Sequence, residues 1–271
     1  AFTVQEFTQR LDELLAQERS MMLYLFPFLD KVVVEYRFDG ESPMRANSWQ
    51  WRLRNWVWKT GSPGFARFVS SFLPGRGVRS WILDRWNTLS VWVMTTLLRG
   101  CNTSPADQII LYPPSAGFAS YTVSIWAFPQ QEYGRILLAY FQFCRDYFAR
   151  TGYRCDLLNV GYSIAEDRQS NFSYSRQGPV LTLDPVSTGA AGWLQFLHAY
   201  NAFCSEHGGI PLFNQTRGIT PEQAQKAFAG EITRFLDYRE RYDPHERFYT
   251  PYFKGLFESE PTRDASPPDS R

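Results

Sequence analysis

The chain has 271 residues, 44% of them hydrophobic, with 28 basic side chains against 27 acidic ones and a formal net charge of +1. There is enough apolar material for one large core or two fused smaller ones, and the balanced charge excludes a global electrostatic attraction to nucleic acid. Aromatic residues make up 17%, including nine Trp and twenty-two Phe, which implies an aromatic core, pockets for flat or apolar ligands, or both.

In chain order, Thr3 followed by Glu6 is a capping-box pattern, and Phe7, Leu11, Leu14 and Leu15 mark one helical face. This opening carries both charge signs and is not a basic stub followed by an apolar run, so no secretory leader is expected. Pro27 closes the next apolar run. Asp30 to Asp39 alternates as a strand, with Val32, Val34, Tyr36 and Phe38 on one face and Val33, Glu35 and Arg37 on the other.

Ser42 to Gly100 departs from the rest in composition. It holds seven of the nine tryptophans (Trp49, Trp51, Trp56, Trp58, Trp81, Trp86 and Trp92) and nine Lys or Arg against one acid, Asp84, so nine minus one gives a local charge of +8. Pro63, Gly64, Pro74, Gly75 and Gly77 cut it into short helices, a helical insertion on the main sheet that is expected to be separable from it. Three readings stand for it: an amphipathic helical pair with Trp packed inward, a membrane-interface belt, and a lid over an anionic apolar substrate. The first leads. Thr88 to Leu98, the most hydrophobic stretch, falls short of the ~20 residues a bilayer span needs.

A strand follows at Tyr121 to Phe128, then the clearest helix, Gln131 to Arg150, with Tyr133, Ile136, Leu137, Tyr140, Cys144 and Tyr147 at helical spacing. Strands are predicted at Asp156 to Ile164, Asn171 to Ser175 and Val180 to Asp184. A second helix carries Trp193, Phe196, Leu197, Tyr200 and Cys204 and stops at Gly208–Gly209. Thr220, Pro221 and Gln223 open the last helix. After Glu258 the tail, residues 259–271, is Pro, Ser and charge, and is expected to be disordered. The fold class is therefore α+β: an antiparallel sheet with helices packed on one face, plus the Trp/Arg-rich insertion. The other face brings Trp126, Phe128, Asn159, Tyr162, Phe172 and Tyr174, too aromatic for open water, so a covering domain or ligand is expected there.

The four cysteines, Cys101, Cys144, Cys155 and Cys204, fit no zinc spacing and read as small buried hydrophobes in a reducing compartment. His198, His207 and His245 join no catalytic constellation, and no Gly-x-Ser-x-Gly elbow is present. These features point to a cytoplasmic chain, peripheral to a membrane at most.

Three segments carry a family resemblance. Leu25-Phe-Pro-Phe-Leu-Asp-Lys-Val-Val-Val-Glu35 resembles the first cap-domain strand of the vanillyl-alcohol-oxidase-type flavoenzymes. Arg241-Tyr-Asp-Pro244 with Arg247-Phe248 resembles the Lys-x-Asp-Pro-x-x-x-Phe signature closing the final helix of their sugar-lactone and alditol oxidase branch. Gly208-Gly-Ile-Pro-Leu-Phe-Asn-Gln215 sits where that branch has Gly-x-x-Pro-His-Trp-x-Lys. The resemblance implies that residues 1–258 are a substrate-binding cap domain, with residues 42–100 inserted. FAD would be held mainly by an N-terminal FAD-binding domain outside this chain, which shows no Gly-rich phosphate loop after a strand.

By the same resemblance, the Glu-x-Arg pair that binds substrate hydroxyls falls on Val160 and Tyr162, and the later His and Lys fall on Leu212 and Gln215. A polyol or sugar-lactone substrate is thereby put in doubt. What remains is a neutral aromatic site for a small-molecule substrate. Tyr162 and Gln215 are its catalytic candidates, with Trp126, Asn159, Tyr174 and Asn214 as substrate-binding ones. Tyr162 would orient a hydroxyl, or deprotonate it given a lowered pKa. Strand alternation alone would instead put Asn159, Gly161 and Ser163 on the flavin side; the resemblance is followed, with Asn159 in reserve. The function implied is hydride transfer from a CH–OH donor to flavin. The alternative is a non-catalytic interaction or membrane-peripheral protein reusing the cap fold.

Overall fold

The computed structural model describes residues 1–17, 19–37, 49–98 and 117–258. Its centre is a six-stranded antiparallel sheet of β1 (Ser20–Phe26), β2 (Lys31–Arg37), β4 (Trp126–Pro129), β5 (Asn159–Ile164), β6 (Val180–Leu183) and β8 (Ile210–Pro211), in the order β2-β1-β5-β6-β4-β8. The short strands β3 (Thr122–Val123) and β7 (Val186–Ser187) pair with each other beside it. The α+β class expected from the sequence is the class observed.

One face of the sheet is backed by α1 (Val4–Gln9), α2 (Leu11–Leu15), α6 (Gln130–Thr151) and α7 (Trp193–Glu206). The Thr3–Glu6 capping box closes the start of α1, and Arg10 divides the predicted first helix into two. Helix α6 runs one residue beyond its predicted span at each end and stops at Gly152, which holds φ +73°. Its apolar row meets that of α7 in a stack of rings: Phe196 lies within 6 Å of Phe143, Tyr147, Tyr153, Trp193 and Tyr200. Polar handles in this layer find partners. Trp126 Nε1 donates to Asn201 Oδ1 at 3.0 Å, Tyr133 Oη to the Thr182 carbonyl at 2.9 Å, and Asn159 Nδ2 to Tyr140 Oη at 2.8 Å. A second cluster joins Phe172 and Phe213 to α8 (Pro221–Tyr242), opened by the Thr220 capping box, and α9 (Pro251–Phe257).

The insertion lies on the other face of the sheet. It comprises α3 (Trp49–Trp56), a π-helical turn (Val57–Gly61), α4 (Ser62–Phe72) and α5 (Arg76–Thr96). Trp58, Val91 and Met94 pack on Met22, Tyr24, Val33 and Val160, so a helical layer covers the sheet surface expected to need a partner. The insertion is not a separate body. Arg54 Nη2 donates to Tyr24 Oη at 2.5 Å and to Glu35 Oε2 at 3.1 Å, Arg154 pairs with Asp84 at 2.7 Å, and Arg67 donates to the Thr188 carbonyl at 2.7 Å. The leading expectation of inward tryptophans fails for Trp49, Trp56, Trp81 and Trp92, which are exposed.

Three strand expectations change. Asn171 to Ser175 forms turns: Asp167 Oδ1 accepts from the Gln169 and Ser170 amides, and Ser173 Oγ from the Ser175 amide, so local polar side chains outcompete a ladder. Tyr121 to Phe128 divides into β3 and β4 because its first half pairs with β7 and its second with β6. The Leu25–Glu35 run spans a hairpin, turning at Asp30 with φ 53°. Phe38, Cys101, both ends of the 42–100 segment and the 259–271 tail lie outside the described residues. Cys144 and Cys204 are buried thiols, as expected, and burial pushes Cys144 up to about 12.

Candidate functional site

The alternation of β5 decides which side chains share the face opposite the α6–α7 layer. Asn159 bonds Tyr140 of α6, and a Cβ on Gly161 would lie 3.1 Å from Tyr133 Oη, so both point to the helices. Val160 and Tyr162 therefore face the other way, as the resemblance implies, among Met22 and Tyr24. Neither Asn159 nor Trp126 reaches this face. Both are buried on the helix side, Trp126 completely, because its indole is committed to Asn201.

Across from Tyr162 on β6 comes Thr182, whose Oγ1 accepts the Tyr162 amide at 3.0 Å and donates to Asp184 Oδ2 at 2.9 Å. Asp184 also exchanges both backbone bonds with Val160, at 2.9 and 3.0 Å, fixing β5 against β6. Its carboxyl is fully buried, and Oδ1 makes no hydrogen bond among the described residues. Burial drives the Asp184 pKa well above its ordinary value, with the Thr182 hydroxyl opposing. Asp184 is the residue that the sequence reading of this site missed. Its signal is an acid within Val180-Leu-Thr-Leu-Asp184, at the same parity as Val180 and Thr182.

Toward the β2 edge the face carries an ionic cluster. Tyr24 Oη donates to Glu35 Oε2 at 2.7 Å, and Arg37 Nε donates to Glu35 Oε1 at 2.8 Å, next to the Arg54 contacts. Burial alone would raise the Glu35 pKa, but Arg54 and Arg37 outweigh it and the net shift is downward. Tyr162 is half-buried, and burial first, then the neighbouring Asp184, pushes its phenol up to about 12. A proton-abstracting tyrosine is excluded at neutral pH. A protonated phenol can donate one hydrogen bond. Tyr174 is also shifted upward, by burial and then Asp184 and Asp167, which puts it in the field of the same acid.

Asn214 and Gln215 lie in the turn after β8, where the Gln215 and Thr216 amides donate to the Leu212 carbonyl and Thr216 Oγ1 donates to the Ile125 carbonyl at 2.5 Å. Asn214 is exposed, Gln215 is half-buried, and neither side chain bonds Tyr162 or Tyr174 among the described residues. The structure thus brings Tyr162, Thr182 and Asp184 together and leaves the Asn214–Gln215 turn after the edge strand β8. Two shallow clefts run between α5 and the 154–158 segment and share Asn87, Leu157 and Leu158; neither contains Tyr162 or Asp184. No group of His, Cys, Asp and Glu arranged to hold a metal occurs among the described residues, and no described helix is long and apolar enough to cross a membrane. No protein-family model matches the chain, and no curated protein matches it significantly.

Proposed function

We propose that this chain is the substrate-binding cap domain of an FAD-dependent oxidoreductase acting on a CH–OH donor. The carrying observation is Tyr162: a half-buried phenol on the sheet face opposite the α6–α7 layer, with its backbone amide bonded to the Thr182–Asp184 chain. The face fits part of the cofactor. Tyr162 suits a flat ring and a hydroxyl, beside the part of the face that Trp58, Val91 and Met94 cover from Met22 to Val160. The remainder of the FAD falls to an N-terminal FAD-binding domain outside these 271 residues.

FAD, when bound, supplies the hydride acceptor. Tyr162, protonated throughout the physiological range, donates to the substrate oxygen and orients the donor carbon. Asp184 is a positioning residue, acting through Thr182 on the Tyr162 amide. Gln215 is the second candidate for substrate contact, carried by the resemblance.

On this reading the isolated chain is colourless near 450 nm and inactive. Together with its FAD-binding domain, Tyr162→Phe slows substrate-driven bleaching of the flavin by roughly tenfold to a hundredfold, the loss of one positioned hydrogen bond at ~1–3 kcal/mol, without altering the resting spectrum. A stoichiometrically yellow isolated chain, or an unchanged bleaching rate in the variant, overturns the proposal.

A further inference from the structure

Helix α5 is apolar on two sides. Leu83, Val91 and Met94 face the sheet and α4, as a packed helix requires. Val78, Trp81, Arg85, Leu89 and Trp92 recur at spacings of three and four, fall within one arc of the helix, and are all exposed. Trp81 keeps 59% and Trp92 53% of its surface open. Helix α3 repeats the arrangement. Trp51 is buried and Arg54 reaches the sheet, while Trp49, Leu53 and Trp56 form an exposed stripe at i, i+4 and i+7. Exposed Phe68 and Phe72 of α4 lie with their rings tilted and 5.2 Å apart.

An exposed aromatic surface of this extent needs an occupant, and charge selects it. The segment from Ser42 to Gly100 holds nine basic residues and one acid, and that acid, Asp84, is taken up by Arg154. Arg52, Lys59 and Arg85 have no carboxylate partner among the described residues, and Arg85 lies 5.5 Å over the Trp81 ring. A second copy would set like charge against like. Tryptophan beside arginine on helices lying flat matches the headgroup–acyl boundary of a bilayer, where the ring is half solvated and the guanidinium meets phosphate.

We infer that the outward faces of α3 and α5 dock on an anionic lipid surface, with Trp49, Trp56, Trp81 and Trp92 at the headgroup level. The inference stands on the insertion alone and does not depend on the flavin reading.

The test is co-sedimentation of the chain with large unilamellar vesicles, either phosphatidylcholine alone or phosphatidylcholine with 30% phosphatidylglycerol. Binding to the anionic vesicles should exceed that to neutral ones and weaken between 0.1 and 0.5 M salt as screening shortens the charge's reach. Trp81→Ala with Trp92→Ala should weaken it about tenfold with circular dichroism unchanged. Should that variant misfold, Arg52→Glu with Arg85→Glu replaces it, with a similar loss expected. A folded chain that stays in the supernatant with anionic vesicles overturns the inference. So does equal binding to both vesicle types, binding unchanged in the folded variants, or self-association as the sole concentration-dependent event in sedimentation equilibrium.

Discussion

Trp126 and Trp81 are the same residue type with opposite fates. Trp126 is fully enclosed between the sheet and α7, its indole N–H bonded to Asn201. Trp81 stands in the open on α5 with an arginine over its ring. The sheet–helix layer uses aromatics as core, with handles such as the Trp126 indole given a partner inside; the insertion also sets four of its tryptophans on its outer surface. Aromatic content alone therefore says nothing about burial. What decides is whether the remainder of the helix already supplies an inward face, and on α5 Leu83, Trp86, Val91 and Met94 do so without Trp81 or Trp92.

The comparison breaks hardest at Phe196, whose ring touches five others. Phe196→Ala should cost about 3–5 kcal/mol in urea unfolding, as a large cavity in a packed core does. The joint between the two regions comes next. Arg54→Met leaves Glu35 and Tyr24 without their bridge and should cost about 1–3 kcal/mol at pH 7. The folded pKa of Glu35 is lowered, so this stabilisation is present above the unfolded value of ~4.3 and is lost as pH falls through the folded one. The gap between wild type and variant should close in melts taken near pH 3.

Asp184→Asn tests the opposite sign. Burial raises the folded pKa of Asp184 above the unfolded ~3.9, so wild-type stability falls as pH rises from there toward the folded pKa, by at most ~1.4 kcal/mol per pH unit. The variant should melt higher than wild type at pH 8, and the difference should shrink toward pH 4. A variant less stable than wild type at pH 8 would show that the Thr182 contact outweighs the buried acid. The smallest effect belongs to Trp81→Ala, which should stay within about 0.5 kcal/mol because the ring leaves no cavity.

Periodicity and caps made much of the fold legible. Thr3–Glu6 and Thr220–Gln223 marked two helix starts where the capping boxes form, and Gly152 and Gly208 stand at helix ends. Legibility failed where polar side chains bond their own backbone, as at Asn171 to Ser175, since Ser and Asn alternate there without forming a strand. The outward tryptophans were hidden for another reason: a helix apolar on two sides has no single 3.6-residue stripe from which to read direction. At the site, Tyr162 was placed on its face by resemblance and not by alternation. Alternation treats Asn159 as outward-facing because it is polar, whereas Tyr140 supplies that amide with a partner inside. Asp184 escaped because an acid at the end of a strand reads as solvent-facing unless the strand beside it is known.

The sheet order also dictates a schedule. Strand β1 lies inside the edge strand, pairing with β2 on one side and β5 on the other, with Leu23 opposite Gly161. A chain made from its N-terminus completes the β1–β2 hairpin early, yet the second edge of Met21-Met-Leu-Tyr-Leu-Phe26 stays open until β5 has been synthesised. At roughly 5–20 residues per second, that leaves an apolar strand edge unpaired on the order of ten seconds. The insertion emerges within that interval, and its Trp58, Val91 and Met94 shield the hairpin face that α1 and α2 leave open. During biogenesis the helical layer would then serve as an internal chaperone for the strand it later covers.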